Sequence, residues 1–502
     1  MRRKYLGVGA LAAAALLALP ASASADSLEA ASNGLLSQSV AINSLWVIVA
    51  GLLVFFMQAG FAFLEIGFSR GKNAGTIVAK ILTNMSIAAL AWYACGFAFA
   101  FGTGELIGDT GFFLQGFGDP LTAFPVMGFS DATIEAKFFF QFTFAAVSLA
   151  IVWGTTLERI KFGVYVIYSA IFAALIYPIG AHWVFGGGWL QANVGMQDFA
   201  GSTAVHLIGA TGGLAVLLLL GARRGKFGDD GKPRAIPGHS MPLFGLGVLI
   251  LWLGWFGFNP GSTLGALDGR FPEIVLVTNL ACAAGVLMAA ITSRLMQKTL
   301  DIGMIGNGAI AALVAITAPS GYVELWAAPF IGAVAGVLVV TAILAIEKVI
   351  DDPVGALSAH GLAGIWGTLS CGLFTAPRLA QYNGVGNPDG GLFYSGSFSQ
   401  LGDQALGVVV VLAFVLGSSL AVLYVIKKTY GLRVTSDEED AGLDISEHGM
   451  YGYPEQFIPN EEYPGGGAGW GPAPAMPPHA AAVTQMTAES QPPIAGDTPS
   501  QA

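Results

Sequence analysis

The sequence predicts an all-α polytopic membrane protein of about eleven transmembrane helices, built as an inverted 5+5 repeat plus one extra C-terminal helix. Three observations carry this. The chain is 54% hydrophobic and only 11% charged, where a soluble domain carries about a quarter charged residues. Apolar runs of about 20 residues, the length a helix needs to cross about 30 Å of hydrocarbon, recur along it. One motif, D-x-x-G-x-x-x-x-H, occurs twice, at Asp198–His206 and at Asp352–His360.

The elements follow in order. Met1–Ala25 reads as a cleaved signal peptide, with Arg2-Arg3-Lys4 as its basic start, Leu6–Leu19 as its apolar stretch and Ala23-Ser24-Ala25 as its small-residue site. The apolar stretch is too short for a first span. Residues 26–44 form an extracytoplasmic segment. The spans are then expected at 45–68, 76–102, 137–157, 161–184, 200–221, 242–260, 274–296, 303–319, 323–346, 357–377 and 405–426, making 45–426 one transmembrane domain. The 69 glycines fit close helix approach in lipid.

Loop charges set the orientation. Arg70 and Lys72, Arg159 and Lys161, Arg223 to Arg234, Arg294 and Lys298, Lys348, then Lys427, Lys428 and Arg433 fall in alternate loops. The intervening loops hold Lys137, Arg270 and Arg378 beside Glu105, Asp109, Asp119 and Asp131. By the positive-inside rule the chain is a multi-pass protein of the inner (plasma) membrane, its mature N-terminus outside and its C-terminus in the cytoplasm. Residues 427–462 are charged and polar, readable as a regulatory tail or as a solvated one. Residues 463–502 are rich in Gly, Pro and Ala and are expected to be disordered. The net charge of −10 lies mostly in loops and tail, with no basic aromatic patch, so no nucleic acid is expected as a partner. Cys95, Cys282 and Cys371 are too few and too scattered for a disulfide framework or a metal site.

The repeated motif opens two apolar helices that are five spans apart and therefore antiparallel. Eight residues of helix place each histidine about 12 Å from its aspartate, so His206 and His360 both approach the middle of the bilayer from opposite faces. Asp198 and Asp352 sit at helix N-termini, where a carboxylate also serves as a plain cap. An imidazole at that depth requires a cavity or a partner. Two side by side can share one proton, one ring donating and the other accepting. No third ligand with suitable spacing accompanies them, so no metal or other cofactor is expected.

Aromatic residues cluster in two further spans. Phe140 and Phe144 are one helical turn apart, with Gln141 on the neighbouring stripe. The sixth span ends in Trp252-Leu-Gly-Trp255-Phe-Gly-Phe258-Asn-Pro-Gly-Ser262. Taken singly, each of these aromatics reads as core or lipid-facing.

Taken together they carry a resemblance. Phe140-Gln-Phe-Thr-Phe144, Ala181-His-Trp-Val-Phe-Gly-Gly-Gly-Trp-Leu190, Asp198-Phe-Ala-Gly-Ser202, Gly254–Ser262, Asp351-Asp-Pro353 with Ala359-His-Gly361, Met57–Glu65 and Gly442–His448 stand in one order over roughly residues 42–450. This pattern resembles the ammonium transporter branch of the ammonium transporter/methylammonium permease/Rhesus family. The resemblance implies a homotrimer with one pore per subunit, and ammonium or ammonia as substrate with methylammonium as an analogue. It implies that Phe140, Phe185 and Ser262 line an outer recruitment site, with Asp198 beneath it. Phe144 and Phe258 are then a stacked gate and His206 and His360 the twin histidines of the pore, with Trp255, Gln141 and Asp352 supporting. Many relatives carry Trp where this chain has Phe185, which weakens cation–π recruitment here. The resemblance also implies a PII-type nitrogen regulatory protein at the cytoplasmic face.

The chemistry suits ammonium. Potassium is of similar size, so a sieve cannot separate the two, but only ammonium has a proton to give up. A bare charge is expensive in a narrow apolar pore, whereas neutral ammonia crosses readily and the proton can pass separately. The alternative reading is an ammonium sensor or receptor signalling through the tail. An enzyme is not expected: there is no HExxH, nucleophile elbow or third ligand.

Overall fold

The computed structural model describes residues 38–116 and 120–457. The expected signal peptide, the first part of the 26–44 segment and the 463–502 tail lie outside these residues. The described chain is helical, with isolated bridges and no strand. Nine helices are long and apolar enough to cross a membrane among the described residues.

These and two shorter segments make one helical bundle. In chain order they are α1 (Gln38–Phe68), α2 (Gly71–Phe101), α3 (Ile134–Gly154), α4 (Phe162–Val194), α5 (Ser202–Leu220), α6 (Met241–Gly261) and α7 (Phe271–Gln297). There follow α8 (Ile302–Thr317), α9 (Ala327–Ile346), α10 (Leu357–Leu362 continuing as Ala363–Phe374) and α11 (Ser399–Thr429). Starts are set by capping: Thr133, Ser240 and Asp301 each accept an N–H of the first turn of α3, α6 and α8.

Some boundaries depart from the hydropathy pattern. α11 outruns its apolar stretch at both ends, because a nucleated helix propagates through polar residues, and Lys427 and Lys428 in its last turn oppose the negative end of the dipole. α9 starts at Ala327 instead of 323, because Pro319–Gly321 form a separate tight turn.

The helices that correspond in the two halves pack on each other, α1 along α6 and α5 along α10. Small residues allow the first of these contacts. A Cβ at Gly247 of α6 would collide with the backbone of Gly60 and Leu64 on α1.

One end of the bundle gathers the charged loops. Arg223 bridges Glu158 at 3.6 Å and Asp351 at 2.9 Å, Arg70 bridges Glu158 at 2.5 Å, and Arg433 bridges Glu439 at 2.6 Å. The C-terminal segment closes this end with two short helices, α12 (Ser436–Ala441) and α13 (Leu443–His448). Asp444 accepts N–H groups of Gly75 at 2.9 Å and Thr76 at 2.7 Å, so it supplies the side-chain cap that the α-helical part of α2, beginning at Ala74, lacks locally. The charged tail up to Phe457 thus packs on the bundle. We call this end the tail face.

Candidate functional site

The repeated motif builds the same device twice. Its glycines, Gly201 (φ +118°) and Gly355 (φ +75°), both lie in the left-handed region, which is why the fourth position is glycine in each copy. The aspartates cap the helix beyond each glycine. Asp198 accepts four backbone N–H groups, from Gly201 and Ser202 on Oδ1 (2.8 and 3.0 Å) and from Thr203 and Ala204 on Oδ2 (2.8 and 3.0 Å). Asp352 accepts from Leu357 at 2.7 Å, and its Oδ1 is buried without a partner. Each helix then opens with a π-helical turn, Ser202–Leu207 and Leu357–Leu362, and each turn carries the histidine. Such turns are rare and recur at functional sites.

The two turns bring the histidines together. His206 Nδ1 lies 3.2 Å from His360 Nδ1, and the rings stack 5.3 Å apart at 15°. The ring of Trp255 lies 5.2 Å from that of His206 at 15°, and its indole N–H donates to Thr317 Oγ1 at 2.9 Å, which fixes its plane. His206 Nε2 is buried with no partner in the described residues.

The histidines end a series of rings. Phe144 stacks on Phe258 with centroids 4.0 Å apart at 10°, and Phe258 lies 5.4 Å from His206. At one end of the series Phe144 lines a cavity of about 670 Å³, shared with Phe101, Phe185, Gln141, Asp198 and Ser262. At the other end His360 lines a cavity of about 20 Å³ on the side of Gly154 and Val354. Phe258 and His206, both 0% exposed, border neither cavity and separate the two.

The larger cavity is aromatic with polar accents. Phe185 stacks on Phe101 at 6.0 Å and 8°. Ser262 donates to Phe258 O at 2.9 Å, leaving its oxygen lone pairs free to accept. Gln141 Oε1 is buried without a partner. Phe140 does not border this cavity: it is 0% exposed and packs 4.7 Å behind Phe144. Asp198 does border it, but with both oxygens turned to backbone N–H groups.

Sequence reasoning did not single out Phe101, Tyr322, Glu65 or Asn307, which line the two cavities. Phe97 and Phe101, one turn apart near the end of α2, were a signal for the first of these. No group of three His, Cys, Asp or Glu able to hold a metal ion is found among the described residues. His182 is occupied structurally, bonded to Ala100 O and Gly104 O, both at 2.9 Å.

Comparison with known proteins gives one consistent result. The Ammonium Transporter Family is matched over residues 45–453. Ammonium transporter Amt2 of Archaeoglobus fulgidus is 41% identical over 435 residues, which cover 84% of this chain and 90% of that one. Ammonium transporter 1 member 3 of Solanum lycopersicum is 34% identical, over 82% of this chain and 93% of its own length. Among solved structures, one titled a sensor Amt protein superposes with TM-score 0.75 at 36% identity, covering 82% of this chain and 99% of that one. Mep2 of Candida albicans gives TM-score 0.72 at 28% identity, covering 82% and 90%.

Proposed function

Because the chain belongs to the ammonium transporter family, we propose that it recruits ammonium at the aromatic vestibule and conducts it as ammonia, the proton passing separately along the histidine pair. The observation that carries this reading is the 3.2 Å contact between His206 and His360 at the end of a closed ring series.

The vestibule suits a cation with N–H groups. The faces of Phe185 and Phe101 offer negative quadrupole, and Ser262 and Gln141 Oε1 are acceptors for its donors. Phe140 supports Phe144 from behind in this reading. Asp198 contributes mainly by holding the turn that carries His206, and Asp352 does the same for His360.

Beyond the vestibule, Phe144 and Phe258 gate an apolar passage. A cation entering there loses its hydration without replacement ligands, which costs several kcal/mol. Ammonia enters at far smaller cost. The lone Nε2 of His206 is available to hydrogen-bond it, while Trp255 holds the ring in place. Potassium has no proton to leave behind and is rejected by chemistry instead of size.

The vestibule faces outward and the tail face inward in this reading, since Arg70, Arg159, Arg223 and Arg433 all gather at the tail face. Assembly as a homotrimer in the inner membrane, with a PII-type regulatory protein meeting the tail face, belongs to the same proposal, as do the cleaved signal peptide and a role in nitrogen metabolism.

A second reading, an ammonium sensor acting through its tail, is favoured by the likeness to the solved sensor Amt protein. Uptake of methylammonium by the purified full chain in liposomes separates the two. Saturable uptake supports transport. Binding of ammonium without flux supports the sensor.

A further inference from the structure

Glu65 of α1 is 1% exposed, and its Oε1 has no hydrogen-bond partner. It borders the small tail-side cavity together with His360 and Asn307. Lys80 of α2 is 2% exposed, its Nζ equally without a hydrogen-bond partner and 5.9 Å from the centre of the Tyr165 ring. A packing role would be filled more cheaply by an apolar side chain, because a buried carboxylate oxygen left without a hydrogen bond is costly at this depth. The cavity of about 20 Å³ has room for one water between the imidazole and the carboxylate.

We infer that Glu65 is the proton acceptor on the tail side of the histidine pair, an inference that rests on the transport reading above. An N–H of His360 breaks as an O–H forms on the cavity water, and a second O–H of that water breaks as one forms on the Glu65 carboxylate. Ammonia leaving the passage takes this proton on its lone pair, so ammonium departs and the carboxylate returns to its anion. His360 Nδ1 is reprotonated from His206 Nδ1, and an N–H of ammonium breaks at the Phe144–Phe258 gate as one forms on His206 Nε2, leaving ammonia in the passage. No oxidant or reductant is involved.

The test uses the full chain in liposomes, with ammonium-evoked current and ammonia entry (by a pH dye in the lumen) measured in parallel. Glu65→Gln is expected to lower the current by roughly 100-fold or more while ammonia entry persists. Glu65→Asp, which keeps the carboxylate, is expected to keep a clear current. Should Glu65→Gln not fold, Glu65→Gln with Lys80→Met removes both buried charges, and the same loss of current is expected. Undiminished current in either neutral variant overturns the inference, as does equal silence of the Asp and Gln variants with ammonia entry intact. A wild-type protein that admits ammonia without any current contradicts the transport reading itself, not the assignment of Glu65 alone.

Discussion

The Nδ1 atoms of His206 and His360 lie 3.2 Å apart although the residues are 154 positions apart in the chain. At that separation the pair holds one hydrogen between them, so one ring donates and the other accepts. Neither histidine reaches its place alone. Each sits in a π-helical turn, after a left-handed glycine, beneath an aspartate that binds the turn's N–H groups.

The glycines of this device are therefore predicted to be intolerant. Gly201→Ala forces an L side chain to φ +118° and drives its Cβ against Val205. The expected loss is about 1–2 kcal/mol from backbone strain, more with the clash, read as a lower melting temperature in detergent. Transport should fall too, because His206 moves with the turn. A variant as stable and active as the wild type would show that the turn is not under this constraint.

Phe185→Trp is predicted to tighten apparent ammonium affinity. The indole face binds cations better than phenyl, by about 0.5–1 kcal/mol at a partly exposed site, which is a two- to fivefold lower half-saturation concentration. Concentration dependence of methylammonium uptake measures this. No shift would mean that the ring at this position does not contact the recruited cation.

Asp351 gives a pH prediction at the tail face. Burial alone would push its carboxyl up, but hydrogen bonds and ion pairs with Arg223 and Arg159 outweigh this and hold it at about 2, below the ordinary 3.8. A depressed folded-state pKa stabilises the protein fully above the ordinary value, and the contribution is lost as pH falls through about 2. Asp351→Asn should destabilise the protein by about 3–5 kcal/mol at neutral pH, because it leaves buried guanidinium charge uncompensated. Thermal denaturation against pH should show the gap between variant and wild type closing only as the acid limit is approached. A gap that is constant with pH would refute the ion-pair account.

Much of this was legible in the sequence, for identifiable reasons. Apolar runs located the spans because a bilayer demands a set length, and the motif spacing located His206 and His360 because helix rise is fixed. What the motif did not disclose was why its fourth position is glycine: left-handed backbone and a π-helical turn leave no periodic signature. Which face of α3 meets the vestibule was also hidden. Phe140 and Phe144 share a stripe, yet only Phe144 borders the cavity, since packing against α6 buries the other. Phe101 and Glu65 were missed because their partners come from other helices, and one sequence carries no record of that pairing.

Selectivity rests on the imidazole pair carrying a proton where a bare cation cannot go. The most direct measurement compares ammonium- and potassium-evoked currents in liposomes for the wild type, His206→Asp and His360→Asp. The wild type should respond to ammonium and stay silent to potassium, whereas an acidic carboxylate in the passage should admit potassium in either variant. Full discrimination against potassium in both variants would contradict selectivity by proton removal at the histidine pair.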